Sequence, residues 1–369
     1  MNHARDIVLL GTGAFAGALA RALAQRVSGP TTVHIVSRSF DRARNLADLA
    51  NTHAILADRP AWFCAHRLDL PGGADLRPLL ARHRPRVLAV CASDLSPAET
   101  RAPASAWSTL IQSAGFGVTL PLQAAIALRA ASASAEASPE TAVVNACFPD
   151  AVNAVLHSAD LPVLCGLGNV STLASAVRCE LQISDESRLK LFAHHVHLHS
   201  PPAQEDEAEA WFDDQPLTAL PAILERTCFQ TRAHLNEIGA TAGAAVVDAL
   251  TQQRDPYVGH VPAPHGRPGG YPVTVTGRSI ALRLPPGMSE RQAIAHNQKR
   301  SALDGITVDQ HGKVQFTPAA LRILRDHWPD APGTFGVQDV EDLRVRQLAL
   351  REYLRELPVS DTAEGRQGP

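Results

Sequence analysis

A glycine-rich turn near the N-terminus is the first segment whose residue types and spacing suit a chemical task. Gly11, Gly13 and Ala16 form the pattern G-x-G-x-x-A between a short apolar run, residues 6–10, and a stretch with helical apolar spacing. In a strand–turn–helix unit the first glycine permits a tight turn, the second lets the backbone approach a pyrophosphate, and the small third residue lets the helix pack closely. Because the helix N-terminus then presents free N–H groups to the phosphates, this segment predicts a dinucleotide site. The other contacts predicted from the turn are Thr12, Ala14 and Phe15.

The end of the second predicted strand indicates which dinucleotide is bound. The strand runs into Ser37-Arg38-Ser39, and Arg42 follows one helical turn later. A site for NAD usually has Asp or Glu here to bond the ribose 2′-OH, whereas hydroxyls and a guanidinium suit a 2′-phosphate, which a carboxylate would repel. The sequence therefore predicts NADP(H). The alternative is a solvated loop arginine with no ligand.

A carboxylate follows a later predicted strand. The segment NACFPDAVN, residues 145–153, begins where an apolar run ends, so its polar residues should emerge at the carboxyl edge of the sheet. In a partly buried cleft Asp150 could have a raised pKa and exchange protons with a substrate amine or carbonyl. Capping the next helix is an equally ordinary role for an aspartate. Asp150 is thus a candidate catalytic acid, and Asn145 a candidate substrate contact. At the end of the run 86–93, the predicted cofactor contacts are Cys91 and Ala92.

Four histidines are crowded into AHHVHLHSPP, residues 193–202. On a strand, His195, His197 and His199 would share one face, because side chains alternate. Three histidines on one face could bind zinc. More often such a cluster has one working histidine and satisfied neighbours, so we predict no metal here and a general acid or base at His199 or His197.

Two other segments offer further chemistry. A thiolate at Cys147 could attack an aldehyde or acyl phosphate and form a thioester for hydride reduction, although a buried structural cysteine is the ordinary alternative. In HGRPGGYP, Arg267 with Tyr271 and His265 could clamp a substrate carboxylate, since a guanidinium pairs with it bidentately. A surface arginine is the alternative there.

The elements that must position these residues alternate regularly in the first part of the chain. Apolar, strand-like runs occur at residues 6–10, 32–36, 64–69, 86–93, 142–147 and 162–166, with helical stretches between them. This alternation predicts an α/β fold, with an N-terminal Rossmann domain built on a parallel, doubly wound sheet. The glycine-containing AGFG, residues 114–117, should be a loop at the carboxyl edge of that sheet, with Phe116 beside the substrate.

The alternation fades after residue 168, which predicts a second, mainly helical α+β domain. We expect helices over 217–252 and a functional loop in the Pro/Gly-rich stretch 256–272. The predicted organisation is an NADP-binding domain at 1–170, a substrate and dimerisation domain at 171–360, and a disordered tail at 361–369. Helix starts are predicted at Ser289 with Gln292, at Thr317-Pro318 and at Asp339.

Composition excludes several classes of protein. The chain has 369 residues, is 45% hydrophobic, and has 34 Lys and Arg against 37 Asp and Glu. This near balance gives no excess of positive charge of the kind that binds nucleic acid or an anionic membrane. No apolar run approaches the roughly 18 residues of a membrane span. The six cysteines are scattered, which is typical of reduced thiols in the cytoplasm. We expect a cytoplasmic protein that acts on a small molecule and, from base rates alone, a homodimer.

Several of these segments together resemble the opine dehydrogenases, most closely the branch that makes opine metallophores (staphylopine and pseudopaline dehydrogenases). The resemblance is carried by GTGAFAGALA, SRS, VCASD, AGFGVTLPLQAAIAL, Asp150 and HLHSPP, and covers about half of the chain. It implies that Arg38 selects NADPH, that Asp150 is a catalytic acid and that His199 belongs to the active site. The implied reaction is NADPH-dependent reduction of an imine (C=N) formed from an amine or amino acid and a keto acid, with saccharopine-type reduction as a near variant. The C-terminal half, including PGGYPV and DGITVDQHGKVQFT, does not align with that family, which leaves the substrate open.

Two alternatives from other classes remain open at this point. The first is a thiol-dependent NADP semialdehyde dehydrogenase that uses Cys147; CFPDA resembles the segment around the nucleophile of N-acetyl-glutamyl-phosphate reductases. The second is a non-catalytic sensor that binds NADP without turnover.

Overall fold

The computed structural model describes residues 5–96, 99, 105–199, 203–228, 231–252 and 256–357. Six parallel strands form the central sheet in the order β3-β2-β1-β4-β5-β6. This is the strand order of the Rossmann fold, so the predicted fold class is confirmed. The strands are β1 (Ile7–Leu10), β2 (Thr31–Ser37), β3 (Ala61–Arg67), β4 (Val87–Val90), β5 (Ala142–Asn145) and β6 (Val163–Gly166).

The structure has helices on both faces of this sheet and further helices beyond it. In chain order they are α1 (Ala14–Arg26), α2 (Phe40–Leu56), α3 (Arg77–His83), α4 (Ala106–Ala114), α5 (Leu120–Ala137), α6 (Pro149–His157), α7 (Val170–Glu180), α8 (Leu220–Cys228), α9 (Arg232–Gln252), α10 (Glu290–Ser301), α11 (Pro318–Arg325) and α12 (Val340–Glu356). The predicted helix starts are confirmed, because Ser289 and Gln292 form a capping box, Thr317 caps α11, and Asp339 is the N-cap residue of α12.

The residues of β1 alternate between two hydrophobic clusters. Ile7 and Leu9 pack with α1, α2 and α9, whereas Val8 and Leu10 pack with α3, α5 and α12. A parallel strand buried on both faces needs apolar residues at every position, which explains the uninterrupted IVLL run. Because α9 and α12 come from the C-terminal half, both clusters include residues from each side of position 170. The division into domains at that position stays a prediction.

The chain beyond α7 adds three small antiparallel sheets. They contain β7 (Leu189–Phe192), β8 (Glu209–Phe212) and β9 (Gln215–Pro216); then β10 (Tyr257–Pro262), β11 (Gly270–Thr276) and β12 (Ser279–Leu282); and finally β13 (Ile306–Val308), β14 (Val314–Phe316) and β15 (Thr334–Phe335). The predicted tail at 361–369 lies outside the described residues.

The prediction of a functional loop over 256–272 is wrong. Most of that stretch is in β10 and β11, which pair antiparallel around a short 3-10 turn at Pro264–Gly266. The many prolines and glycines suggested a loop, but Val261, Tyr271 and Val273 supply a buried apolar face, and their burial outweighs the local preference for turns.

One helical segment is long and apolar enough to cross a membrane by composition alone. It covers Phe116–Ala137 and has a mean hydropathy of 1.2. However, 72% of this window is buried inside the protein, in the helical layer that contains α5. A core helix of a globular domain has the same properties.

The central sheet should dominate stability. Leu88 on β4 is completely buried, so we expect Leu88→Ala to lower the free energy of unfolding by about 2–5 kcal/mol, through lost burial and the remaining cavity. Urea unfolding would measure this. The matched control is Leu49→Ala on α2, where the side chain is 44% exposed and a change within about 0.5 kcal/mol is expected. Equal losses in the two variants would contradict the assignment of this core.

Candidate functional site

A cleft of about 990 Å³ opens at the carboxyl edge of the parallel sheet. Loops that follow β1, β2, β4 and β5 form its floor, and the first turn of α9 contributes one wall. All the predicted cofactor residues except Ala16 line this cleft, namely Gly11, Thr12, Gly13, Ala14, Phe15, Ser37, Arg38, Ser39, Arg42, Cys91 and Ala92. Ala16 is completely buried behind them.

The backbone of the turn explains its two glycines. Gly11 has a φ of +119°, and a Cβ there would be 2.7 Å from the carbonyl oxygen of Cys91. A side chain at Gly11 would therefore be strained and would also collide with the neighbouring strand end. A Cβ at Gly13 would meet no atom within 4 Å, because this position faces open space. Gly13 is the N-cap residue of α1, so the N–H groups of the first helical turn are available to a phosphate.

The end of β2 forms a second anion-binding surface. Ser37 is buried, and its Oγ is 3.2 Å from the Thr12 Oγ1, which ties this strand end to the glycine turn. Ser39 caps α2, because its Oγ accepts a hydrogen bond from the Arg42 N–H. The side chains of Arg38 and Arg42 are exposed at the cleft rim. Two guanidinium groups at a helix N-terminus provide a surface of the kind that binds a phosphate.

The residues of the cleft fit a dinucleotide. The open space at Gly13 admits a pyrophosphate against the backbone, and the N-terminus of α1 faces it. The residues at the end of β2 include no carboxylate. Arg38 follows the strand at the position where an NAD site usually has Asp or Glu.

The predicted histidine strand is wrong. β7 ends at Phe192, and His195–Leu198 form a 3-10 turn. Successive side chains in such a turn diverge by about 120°, so His195, His197 and His199 do not share a face. The zinc site considered for that face therefore has no geometric basis.

His197 does not suit an acid/base role. It is 1% exposed, its Nδ1 accepts from the His194 N–H at 2.8 Å, and its Nε2 is 2.7 Å from the Asp206 carbonyl oxygen. Burial lowers the pKa of His197 to about 4 and that of His194 to about 3. His199 is exposed, with its ring centroid 6.4 Å from that of His195, and is not among the cleft-lining residues. The geometry therefore favours neither predicted histidine.

His195 is the histidine of this segment that lines the cleft. Its Nδ1 is 3.1 Å from the Oδ2 of Asp304, and its ring stacks on Phe116 at a centroid distance of 5.2 Å. Burial lowers the pKa of His195, but the charge and hydrogen bond of Asp304 outweigh burial, so the net direction is upward. Burial by itself raises the pKa of Asp304, but the charge and hydrogen bond of His195 outweigh it, so the net direction is downward. The two groups thus form a hydrogen-bonded pair beside the cleft, in which each favours the charged form of the other.

Asp150 lies next to this pair but is not itself among the residues that line the cleft. It occupies the first turn of α6, is 2% exposed, and accepts a hydrogen bond from the side chain of Asn169, which lines the cleft. Burial raises the pKa of Asp150 to about 6, and the nearby positive charge of His195 limits the rise. A carboxyl group of this kind can carry a proton near neutral pH.

Of the remaining predicted residues, only Phe116 and Cys147 line the cleft. Burial raises the pKa of the Cys147 thiol to about 12. A nucleophilic cysteine needs the opposite shift, because the thiolate is the reactive form. Asn145 is completely buried, and its amide bonds the backbone N–H and carbonyl of Cys147 at 2.9 and 3.0 Å. It shapes the turn after β5 instead of facing a substrate.

The predicted carboxylate clamp is not supported by the structure. Arg267 is bound to Glu290, with its Nε 2.7 Å from Oε1, and neither Arg267 nor His265 lines the cleft. Tyr271 is completely buried and donates to the Pro268 carbonyl oxygen at 2.7 Å. Arg232 and Asn236, from the first turns of α9, line the cleft instead. No sequence signal marked α9 as a wall of this site.

No protein-family model matches the sequence, and no curated protein is similar to it in sequence. Solved structures nevertheless share its fold. A lactate dehydrogenase from Cryptosporidium parvum, complexed with lactic acid and nicotinamide adenine dinucleotide, is 14% identical, with 90% of this chain and 100% of that chain covered at a TM-score of 0.56. The apo malate dehydrogenase from Picrophilus torridus is 16% identical, with 81% and 97% covered at 0.53. That of Archaeoglobus fulgidus, in complex with NADH, is 13% identical, with 81% and 99% covered at 0.51. The chain therefore has the Rossmann fold of these dehydrogenases, and these structures do not single out the opine branch.

The His195–Asp304 pair predicts a measurable titration. In the wild-type protein His195 should titrate above its ordinary pKa of 6.5, and Asp304→Asn should lower that pKa, because only the weaker effect of Asp150 then opposes burial. NMR of the ring carbons, assigned with His195→Asn, would measure both pKa values. Asp309→Asn, which changes an aspartate in an exposed turn, should leave His195 unaffected. If His195 has the same pKa in all three proteins, the pair does not exist.

Proposed function

We propose that this protein is an NADP(H)-dependent oxidoreductase that reduces the C=N bond of an imine formed from an amine or amino acid and a keto acid. The observation that carries the proposal is the buried His195–Asp304 pair beside one cleft with the glycine turn and the exposed Arg38 and Arg42. A proton donor and a dinucleotide surface in the same cleft are what hydride-transfer chemistry requires.

The cofactor would be held by groups from three strand ends. The N-terminus of α1 receives the pyrophosphate, and Arg38 and Arg42 receive the 2′-phosphate. When bound, the reduced nicotinamide supplies the hydride. Phe15 and Cys91, which also line the cleft, exclude water from its walls.

Two titrating groups suit an imine better than a carbonyl. Condensation of a primary amine with a keto acid forms a C=N bond and expels the carbonyl oxygen as water, and the two hydrogens of that water come from the amine nitrogen. A general acid that protonates the departing hydroxyl therefore regains its proton from the nitrogen. Reduction then places a hydride on carbon, and the imine nitrogen, already protonated or protonated in the same step, becomes a secondary amine. His195, whose pKa is raised by Asp304, can donate one proton, and Asp150, with its pKa near 6, can supply or accept the other.

The substrate carboxylate would bind to side chains of α9, which forms one wall of the cleft. Arg232 lies at the first turn of that helix and near enough to His195 to lower its pKa electrostatically. A guanidinium there can bind a carboxylate and orient the neighbouring carbon toward His195. Asn236, one turn further along α9, adds a hydrogen-bonding side chain to the same wall.

A second candidate is reduction of a 2-keto acid to a 2-hydroxy acid. The similar structures include a malate dehydrogenase and a lactate dehydrogenase, and the latter is complexed with lactic acid. This reaction needs a single proton on oxygen, which the His195–Asp304 pair supplies without Asp150. The raised pKa of Cys147 disfavours the thiol-dependent alternative. That the protein is a cytoplasmic homodimer stays a prediction.

The preference for NADPH can be tested by binding. Arg38→Ala and Arg42→Ala should each raise the Kd for NADPH by about 10–100-fold and leave that for NADH nearly unchanged, because only NADPH carries the 2′-phosphate. Fluorescence titration would measure both. The matched control is Arg44→Ala, an exposed arginine on α2 that pairs with Asp48 outside the cleft and should not alter either affinity. Equal affinities of the wild type for NADPH and NADH would refute the selectivity.

The reaction can be tested by the requirement for an amine. We expect NADPH oxidation only when a 2-keto acid and an amino acid are both present, with a secondary amine as product by mass spectrometry. Oxidation with the keto acid alone, at the same rate, would establish the second candidate instead. His195→Asn should lower kcat by about 10²–10⁴-fold with unchanged NADPH affinity.

Two variants serve as controls in the same assay. His199→Asn removes the exposed neighbour of His195 and should retain kcat within severalfold, as should Cys147→Ser. Complete loss of turnover in Cys147→Ser would instead support thioester chemistry. NADPH binding without turnover on any amine and keto acid pair would favour the sensor.

A further inference from the structure

Three histidines meet on the sheet face covered by α3, outside the cleft. His34 lies on β2, His66 on β3 and His83 at the end of α3. None of the three is among the cleft-lining residues. They come from elements up to 49 positions apart in sequence, so only the fold brings them together.

Each ring presents a nitrogen to a common point. One nitrogen from each histidine lies within 4.8 Å of the nitrogens of the other two, and His34 Nδ1 is 2.9 Å from His66 Nε2. The ring centroids of His34 and His83 are 3.9 Å apart. A tetrahedral zinc ion, with Zn–N bonds of about 2.0–2.1 Å, holds its ligand nitrogens roughly 3.3 Å apart. His66 and His83 are both only half-buried, which leaves their rings room to rotate toward that spacing.

A buried carboxylate fixes the orientation of the central ring. Asp6, which is 6% exposed, has its Oδ2 3.3 Å from the Nε2 of His34. A carboxylate there accepts the Nε2–H, so the neutral ring carries its lone pair on Nδ1, toward His66. Metal-binding histidines commonly have such a carboxylate partner on the other ring nitrogen.

We propose that His34, His66 and His83 bind a divalent transition-metal ion, zinc by preference, with Asp6 as the carboxylate that orients His34. Three imidazoles suit Zn²⁺, and solvent can complete the coordination because His66 and His83 reach the surface. The ion would tie the end of α3 to β2 and β3. Its role is structural, since it lies outside the cleft, and the proposal is independent of the reaction assigned above.

The test uses the tag-free full-length chain after removal of metals with a chelator. Titration with Co²⁺ should give the visible absorption of a four-coordinate ion at one equivalent, and Zn²⁺ should abolish it by displacement. Zn²⁺ should also raise the Tm, because an ion that binds only the folded state stabilises it. Absence of a stoichiometric Co²⁺ spectrum and of a zinc-dependent shift in Tm would overturn the proposal.

Matched variants separate this site from adventitious binding by the other histidines. His66→Ala and His83→Ala should lose both the spectrum and the shift in Tm while melting like the metal-free wild type. The double variant His311→Ala/His327→Ala, which removes two exposed histidines, should keep both. Asp6→Asn should weaken zinc binding by about 10–100-fold. Unchanged binding in His66→Ala and His83→Ala would show that the ion binds elsewhere and would likewise overturn the proposal.

Discussion

The rest of the structure depends on the need to bury both faces of a parallel sheet. Ile7, Val8 and Leu9 at its centre are completely shielded from solvent, and backbone pairing with β2 and β4 leaves no edge free on β1. Helices from the N-terminal half cover only part of each face. α9 and α12, which come from the other half of the chain, complete the two layers. This requirement brings the C-terminal half to the carboxyl edge of the sheet, where it supplies residues that the Rossmann motif lacks.

The site at that edge combines rigid backbone with buried charge. Gly115, at the end of α4, has a φ of +95°, and a Cβ there would be 2.4 Å from the carbonyl carbon of Asp304. The absence of a side chain at Gly115 therefore lets the segment that carries Asp304 pack against the segment that carries Phe116. Phe116 in turn stacks on His195. The same close packing that excludes water strengthens the attraction between His195 and Asp304 and raises the pKa of Asp150.

The sequence predicted most of the parallel sheet, the turn at Gly11 and the residues that surround it. It was much less successful where local composition and tertiary packing disagree. The prolines and glycines of 256–272 suggested a loop, yet Val261 and Tyr271 are buried in paired strands. The histidine segment suggested a strand, yet a 3-10 turn directs His195 toward the cleft and His197 toward the Asp206 carbonyl. A shift of one residue in a turn decides which side chain reaches the cleft, and spacing alone does not reveal it.

By itself, the sequence determined the Rossmann half and its glycine turn, because these depend on local patterns: a short apolar run, a turn that needs Gly11, and a helix with small residues at the contact. It also placed Arg38 at the rim of the cleft, since that position follows directly from the end of β2. Only the tertiary structure decided which acid and which base meet. His195 and Asp304 are 109 positions apart, and no local preference couples them. They pair because the C-terminal half must cover the sheet. The resulting burial makes the attraction between their charges stronger than it would be in water.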